Sequence, residues 1–362
     1  MLTLTRQIEQ LLSRQEAALR RAFLLAVQDL RNQTQLTQLR NALRAGDIEA
    51  AIRALNIEPA AYATFAREIG NTYTQAGATI AAGTVWRLPD RSQAVVRFNV
   101  TNPRAERWLA SVSSDKITRI TQDTIAAARV TINAGYVQGM HPNRIALDLV
   151  GRIGANGRRT GGIIGLSEPQ ARYVADMRSA LSGDGPVGYA RNPDGTLSRK
   201  FWIKRDGRLG SVYERRDRRL DGVIRRAIEA GKPVSGADID RLAGRYKDRL
   251  LALRGETIAR TETAMAVEDA RQETWRQYTE QNGIDPQYII KRWVAAGAAA
   301  NGNERPDHQA MNGVGVEGLE TPFIMADGTA MSNPLDPSAP VHHLANCRCT
   351  YTVRVNFAKL AR

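Results

Sequence analysis

Apolar residues recur at spacings of three, four or seven positions over much of this 362-residue chain, which is the period of an amphipathic α-helix. The pattern is clearest in residues 2–31 and again from about Ser235 to Tyr278. Aromatic residues make up only 6% of the chain, and alanine and arginine, both good helix formers, occupy many of the other positions. The sequence therefore predicts a mainly α fold.

The C-terminal part of the sequence departs from this period. Residues 288–293 and 350–355 are rich in β-branched and aromatic side chains, in the manner of strands. The segment between them is rich in Gly, Pro, Asn and Asp, which is typical of loops. We therefore predict an N-terminal and central helical region followed by a small, loop-rich α+β unit at the C-terminus.

Breaks in the helical period divide the chain into four consecutive regions. Residues 1–90 are predicted to be an N-terminal helical region, and residues 91–165 a helical middle region that ends in a Gly-rich linker. Residues 166–286 are predicted to be a basic helical region with a long spine helix, and residues 287–362 the C-terminal α+β unit. The linker is predicted from residues 151–165, which hold six glycines and lack the spacing of a phosphate-binding loop.

Cysteine content and hydropathy restrict the class of protein. The two cysteines, Cys347 and Cys349, are too few and too close together for a disulfide-stabilised secreted scaffold. No stretch reaches the roughly 18 apolar residues that a membrane-spanning helix needs. The first residues also lack the basic and apolar regions of a signal peptide. We therefore expect a protein that is made in a reducing cytoplasm and has no membrane partner.

The positive charge of the chain is concentrated in one part of it. The formal net charge is +14, and residues 191–254, with 18 Lys and Arg against 9 Asp and Glu, carry +9 of it. A predicted helix in that stretch carries six arginines, whose planar guanidinium groups suit phosphate: Arg215, Arg216, Arg218, Arg219, Arg225 and Arg226. Two interpretations stay open. The arginines contact DNA phosphates or an acidic protein surface, or they form a solvated helix face with intrahelical ion pairs.

Residue types that bind metals cluster near the C-terminus. Three of the four histidines lie in the last 55 residues, together with both cysteines. Thiolates and imidazoles are a ligand set that zinc accepts, and a metal would order a segment with few large apolar residues. We predict one structural zinc with four ligands: His308, His343, Cys347 and Cys349. The alternative is that the cysteines are buried thiols beside a strand.

A catalytic function finds little support in the sequence. We find no Ser–His–Asp order and no distinctive pair of carboxylates. A ββα-metal nuclease needs a helix after its histidine, whereas the residues after His343 run into Cys347 and a strand-like segment. We therefore predict that the protein is not an enzyme and has no small-molecule substrate, with a zinc-dependent nuclease as the least favoured alternative.

An ordered set of motifs resembles one protein family. In chain order, the set consists of Ala259-Arg260-Thr261-Glu262, Lys291-Arg292-Trp293, Arg305-Pro306-Asp307-His308, Met311-Asn312-Gly313 and Asn346-Cys347-Arg348-Cys349. This set resembles the phage head morphogenesis proteins, also described as Mu F-like minor head proteins, over about residues 213–355. Residues 1–90 carry no motif that we can assign.

The resemblance implies a structural minor head protein of a tailed bacteriophage, made in the host cytoplasm and present in few copies in the virion. It implies that the partners are the portal protein and other head proteins, together with packaged DNA contacted through its phosphate backbone. The implied location is the capsid interior or the vicinity of the portal, with a role in head assembly or genome delivery. An internal DNA-binding or ejection protein without portal contact is the alternative.

Replacement of the six arginines by glutamine tests whether they bind DNA. Phosphate contacts make the affinity for duplex DNA fall with salt, with a log–log slope of about −0.9 per contact, and they carry little sequence preference. We expect the sixfold variant to lose duplex binding in fluorescence-anisotropy titrations at several salt concentrations. A variant that keeps the wild-type affinity and salt slope would assign these charges to another partner.

Overall fold

The computed structural model describes residues 4–360, apart from 87, 89, 91, 182–185, 192, 194–196, 205–208, 212–221, 224–225, 227–228, 231–233 and 297–304. The protein is mostly helical, with 65% helix and 8% strand, which confirms the predicted fold class. The strands form small antiparallel sheets. No helix in the described part of the chain is both long enough and apolar enough to cross a membrane.

The helices begin and end largely where periodicity and capping residues predict. Asp47 caps one of them by accepting the N–H of Ala50 at 2.8 Å, and the Ser235 hydroxyl caps the longest. The helices are α1 (Leu4–Gln33), α2 (Leu36–Ala45), α3 (Ile48–Ala54), α4 (Ala63–Gly83), α5 (Pro103–Val137), α6 (Pro142–Val150), α7 (Glu168–Leu181), α8 (Gly236–Gln281), α9 (Pro306–Ala310), α10 (Val341–Leu344) and α11 (Phe357–Leu360). Short 3₁₀ turns span Pro59–Tyr62 and Pro286–Tyr288.

The strands form four small sheets in the described residues. They are β1 (Arg152–Ile153), β2 (Arg159–Thr160), β3 (Pro186–Arg191), β4 (Leu197–Lys204), β5 (Leu209–Ser211), β6 (Ile289–Val294), β7 (Gly315–Glu317), β8 (Phe323–Ile324), β9 (Ala330–Met331) and β10 (Thr350–Val355). The strand orders are β1-β2, β3-β4-β5, β10-β6-β7 and β8-β9. The two strands predicted near the C-terminus, β6 and β10, pair with each other and place Trp293 opposite Tyr351.

The chain divides into two compact units, and neither is continuous in sequence. Unit 1 consists of Met1–Phe23, Tyr62–Lys116 and Gly255–Arg362, and unit 2 of Leu24–Ala61 and Ile117–Arg254. This division differs from the four consecutive regions that the sequence suggests, because α1, α5 and α8 each contribute residues to both units.

The Gly-rich segment 151–165 is not the predicted linker. It contains the paired strands β1 and β2, and Ile163 and Ile164 after them are fully buried in unit 2. The buried guanidinium of Arg31 donates to the carbonyl oxygen of Ile164 at 3.0 Å. A Cβ atom at Gly161, which has a φ of +70°, would lie 2.9 Å from the backbone of α8. Glycine serves close packing at this position rather than flexibility.

Unit 2 also contains a group of buried charges that the sequence analysis did not predict. Asp148 of α6 is paired with Arg178 of α7 at 2.5 Å and with Lys247 of α8, and all three side chains are buried. Burial raises the pKa of Asp148, but the two cations outweigh it and hold that pKa below its usual value. Burial lowers the pKa of Lys247 to about 8. The carboxylate therefore joins three helices of this unit.

The loops between β6 and β10 in unit 1 hold more apolar packing than their composition suggests. Met311, Phe323, Met325 and Met331 are buried in one cluster with Trp293 of β6. The composition of this segment predicts few large apolar groups and a need for a metal to order it. The cluster corrects that prediction, because burial of these side chains stabilises the loops independently of any metal.

Candidate metal centre

The candidate site lies in unit 1, where the segment before β10 packs on α8. The hydroxyl oxygen of Thr261 on α8 accepts the backbone N–H of Asn346 at 2.9 Å. Arg348 donates to the carbonyl oxygen of Arg260 at 3.2 Å and forms an ion pair with Glu16 of α1. These contacts hold the backbone on both sides of Cys347.

Asn346 makes the turn that leads into the cysteines. Its φ is +59°, in the left-handed region that Gly, Asn and Asp adopt more readily than other residues. Its side chain is exposed, so the backbone conformation is what selects asparagine at this motif position. Directly after the turn, the N–H of Cys347 donates to the carbonyl oxygen of Leu344 at 3.0 Å, and the thiol is buried.

The imidazole of His308 faces both thiols. His308 lies on α9 and is 3% exposed, and its Nδ1 atom is 3.4 Å from the Sγ atom of Cys347 and 3.4 Å from that of Cys349. In a tetrahedral zinc site with ordinary bond lengths, nitrogen and sulfur ligands lie roughly 3.6 Å from each other. The three ligand atoms are therefore close to the spacing that one zinc ion requires.

The contact between the two thiols shifts their pKa values in opposite directions. The hydrogen bond from Cys347, and after it that from His308, lower the pKa of Cys349 to about 4 against the opposing effect of burial. The same thiol–thiol hydrogen bond, together with burial, raises the pKa of Cys347 well above its ordinary value. The backbone of Ala296 also stabilises the Cys349 thiolate. A bound cation would favour the thiolate form of both cysteines.

His343 lies beside His308 but on the other side of its ring. It is 1% exposed, and its Nδ1 atom is 3.1 Å from Nε2 of His308, with the two rings stacked. Its Nε2 atom is 3.0 Å from Oδ2 of Asp327. All four residues predicted to bind metal therefore come together, but His343 contacts the nitrogen of His308 that points away from the thiols. The assignment of His343 as the fourth ligand stays a prediction.

Three groups of potential ligands occur among the described residues, and each has its ligand atoms within 4.8 Å of one another. They are His308, Cys347 and Cys349; Asp307, His308 and His343; and Asp327, His342 and His343. The first group contains thiolates and is buried throughout, which favours it as a zinc site. Asp327 could not be connected with the site from the sequence, because Asp327-Gly328 is an ordinary turn signal with no characteristic spacing to a histidine.

The carboxylate of Asp327 is oriented by its own turn. The N–H of Thr329 donates to Oδ1 at 2.9 Å, so Oδ2 faces Nε2 of His343 and, at 3.2 Å, Nε2 of the exposed His342. The hydrogen bond from Thr329, followed by that from His343, holds the pKa of Asp327 well below its usual range. Asp327 is therefore a fixed anion at the exposed end of the histidine pair.

The predicted DNA-contacting arginines fall largely outside the described residues. This applies to Arg215, Arg216, Arg218, Arg219 and Arg225. Arg226 is described: it is exposed, and its carbonyl oxygen accepts the N–H of Ala230 at 3.0 Å. DNA contact through this segment stays a prediction.

Comparison of the chain with protein-family models, with curated protein sequences and with solved structures finds no match. The resemblance to head morphogenesis proteins therefore rests on the ordered sequence motifs and stays a prediction.

The backbone turn before the cysteines can be tested with two substitutions at one position. Asn346→Gly keeps access to a positive φ, whereas Asn346→Val places a β-branched side chain in the left-handed region, at a cost of about 1–3 kcal/mol. We expect urea denaturation to show a clear loss of stability for the valine variant and little change for the glycine variant. Equal stability of the two variants would contradict this account of the motif.

Proposed function

We propose that this protein is a structural head morphogenesis protein of a tailed bacteriophage, associated with the portal and with packaged DNA, in which one zinc ion stabilises the C-terminal part of unit 1. The observation that supports this proposal is that motif residues from distant parts of the sequence meet at one place, around the C-terminal half of α8 and the segment before β10.

The polar groups of the motif residues hold backbone segments together. Besides the contacts of Thr261 and Arg348 with their partners, Arg305 donates to the carbonyl oxygen of His343 at 2.9 Å. Lys291 is fully buried and donates to a loop carbonyl oxygen at 2.7 Å. These are the contacts that a structural role requires, since each one ties a loop to a helix or strand.

Packing around the proposed metal ligands also supports a structural role. The indole ring of Trp293 meets the His308 ring edge-on at 5.7 Å, and both cysteines belong to the same buried cluster as that tryptophan. Trp293 of the motif Lys291-Arg292-Trp293 therefore packs against His308 of the motif Arg305-Pro306-Asp307-His308. A zinc ion at this point would link α9 to the segment before β10, which contains the N-C-R-C motif.

Three of the four ligands of the zinc ion in this proposal are Nδ1 of His308 and the thiolates of Cys347 and Cys349. His308 and Cys347 are 39 positions apart in the sequence, so a metal bridge between them closes a long loop. Loop closure by a metal removes conformational entropy from the unfolded chain and adds to the stability given by the buried methionines. The structural role is supported by the burial of all three ligands, which are 3–4% exposed.

The arginine-rich segment is the part of the chain to which we attribute DNA contact. The support for this attribution is the concentration of +9 of the net charge in residues 191–254. Phosphate contacts of this kind are independent of base sequence, which suits a protein that meets packaged genomic DNA. An acidic surface of another head protein is the competing partner for the same charges.

Elemental analysis of protein purified without a histidine tag tests the metal. We expect about one zinc ion per chain, because two thiolates and an imidazole stand at zinc-ligand spacing. The double variant Cys347→Ser, Cys349→Ser should lose the zinc together with the protease resistance of the C-terminal segment, whereas His141→Gln, which lies in unit 2, should retain both. A metal-free protein with an equally resistant C-terminus would remove zinc from the proposal.

Quantitative mass spectrometry of purified phage particles tests the function. We expect a few copies of this chain in procapsids or mature particles, and co-purification with portal rings in the absence of DNA. Its absence from both kinds of particle would overturn the proposal. Presence without portal binding would favour an internal DNA-binding protein, and metal-dependent cleavage of plasmid DNA would favour a nuclease.

A further inference from the structure

The thiol–imidazole group continues into a chain of contacts that ends at the protein surface. Nε2 of His308 lies 3.1 Å from Nδ1 of His343, and Nε2 of His343 lies 3.0 Å from a carboxylate oxygen of Asp327. Both imidazoles are buried, while the side chain of Asp327 is 44% exposed. Since buried ring nitrogens need hydrogen-bond partners inside the protein, the direction of each hydrogen bond can be worked out.

A metal on His308 determines where the protons of this chain lie. When Nδ1 of His308 binds the metal, the one proton of the neutral ring is on Nε2. That N–H donates to Nδ1 of His343, which must then be unprotonated. The proton of His343 is therefore on its Nε2 atom, where it donates to Asp327. Every ring nitrogen has one partner of the right kind, and the chain ends on an anion.

We propose that His343 and Asp327 are positioning residues of the metal centre: they hold His308 in the orientation and tautomer that bind zinc, and they do not bind the metal themselves. This inference rests on the proposed zinc site. It gives His343 a positioning role in place of the predicted role as the fourth ligand. Hydrogen-bond partners behind a metal-bound histidine commonly change metal affinity by 10- to 100-fold. Here His343 lies between the ligand His308 and the carboxylate of Asp327.

Asp307 does not take over this role. Its Oδ2 atom is 4.0 Å from Nε2 of His308, which is beyond hydrogen-bonding distance. It lies 3.4 Å from Nδ1 of His343, a nitrogen that already accepts the proton of His308 in the metal-bound arrangement. A hydrogen bond to Asp307 would need a proton on that same nitrogen, which would force the proton of His308 onto Nδ1, where the metal belongs.

The hydrogen bonds from His308 through His343 to Asp327 also predict a proton rearrangement when metal binds. Without metal, an N–H at Nδ1 of His308 can donate to the Sγ atom of Cys349, which lies 3.4 Å away. When metal binds at Nδ1 of His308, the proton of that ring is on Nε2 instead. This arrangement requires the Nε2–H tautomer of His343. A residue that only fills space beside the site would have no required tautomer.

Nuclear magnetic resonance of the full-length chain tests the assignment directly. The chain has four histidines, so a nitrogen-15-histidine-labelled protein gives few ring signals, and His141→Gln and His342→Gln variants assign two of them. With cadmium-113 in place of zinc, we expect one-bond coupling between the metal and Nδ1 of His308. We expect no such coupling at His343, whose ring should show a protonated Nε2 atom. This measurement needs no substitution at the positions under test.

Zinc-competition titrations give the second readout. We expect Asp327→Asn and His343→Gln to bind zinc 10- to 100-fold more weakly while still reaching one zinc ion per chain at saturation. His342→Gln is the matched control, because the exposed His342 contacts the same Asp327 oxygen at 3.2 Å but stands at the solvent end of the chain. Its affinity should equal that of the wild type.

The outcomes separate this inference from the zinc proposal. Cadmium coupling at His343, or complete loss of metal in His343→Gln, would make His343 a ligand and overturn the inference while the zinc site stands. A second bound metal that His342→Gln abolishes would also overturn it, because Asp327 and His343 would then be ligands of that metal. A wild-type protein that binds no zinc or cadmium would overturn both proposals.

Discussion

The docking of the segment before β10 onto α8 is the interaction on which the candidate site depends. Thr261 accepts the N–H of Asn346, and Arg348 reaches back to the carbonyl oxygen of Arg260. Between these two anchors, the left-handed turn leaves Cys347 buried. The two anchors therefore contribute to holding the thiols near Nδ1 of His308.

Local rules were enough to predict most of the helices, because a cap residue and a 3.6-residue period act within one turn. Asp47 and Ser235 are examples. The residues of the candidate metal centre could be picked out from the sequence as well, since His308 and the cysteines differ in chemistry from the rest of the chain. Which nitrogen of His308 faces the thiols could not be predicted, because the orientation of the ring depends on how α9 and the segment before β10 pack.

The incorrect linker prediction and the missed carboxylates have one physical origin. Glycine permits both flexible chain and close backbone packing, and Gly161 is of the second kind only because α8 passes beside it. Asp148 and Asp327 are ordinary acids in the sequence, and each gains its role from partners far along the chain. Asp148 meets Lys247 across 99 positions, and Asp327 meets His343 across 16.

Burial decides which of the three ligand groups suits a structural zinc. A catalytic zinc must be open to substrate, whereas His308, Cys347 and Cys349 are each almost fully buried among apolar side chains. The side chains of Asp327 and His342 are 44% and 61% exposed, so solvent reaches only the far end of the histidine chain. In the proposed site, an exposed carboxylate that orients a buried imidazole would allow the metal to be shielded from water, since the charge that stabilises the ligand tautomer stays in contact with solvent.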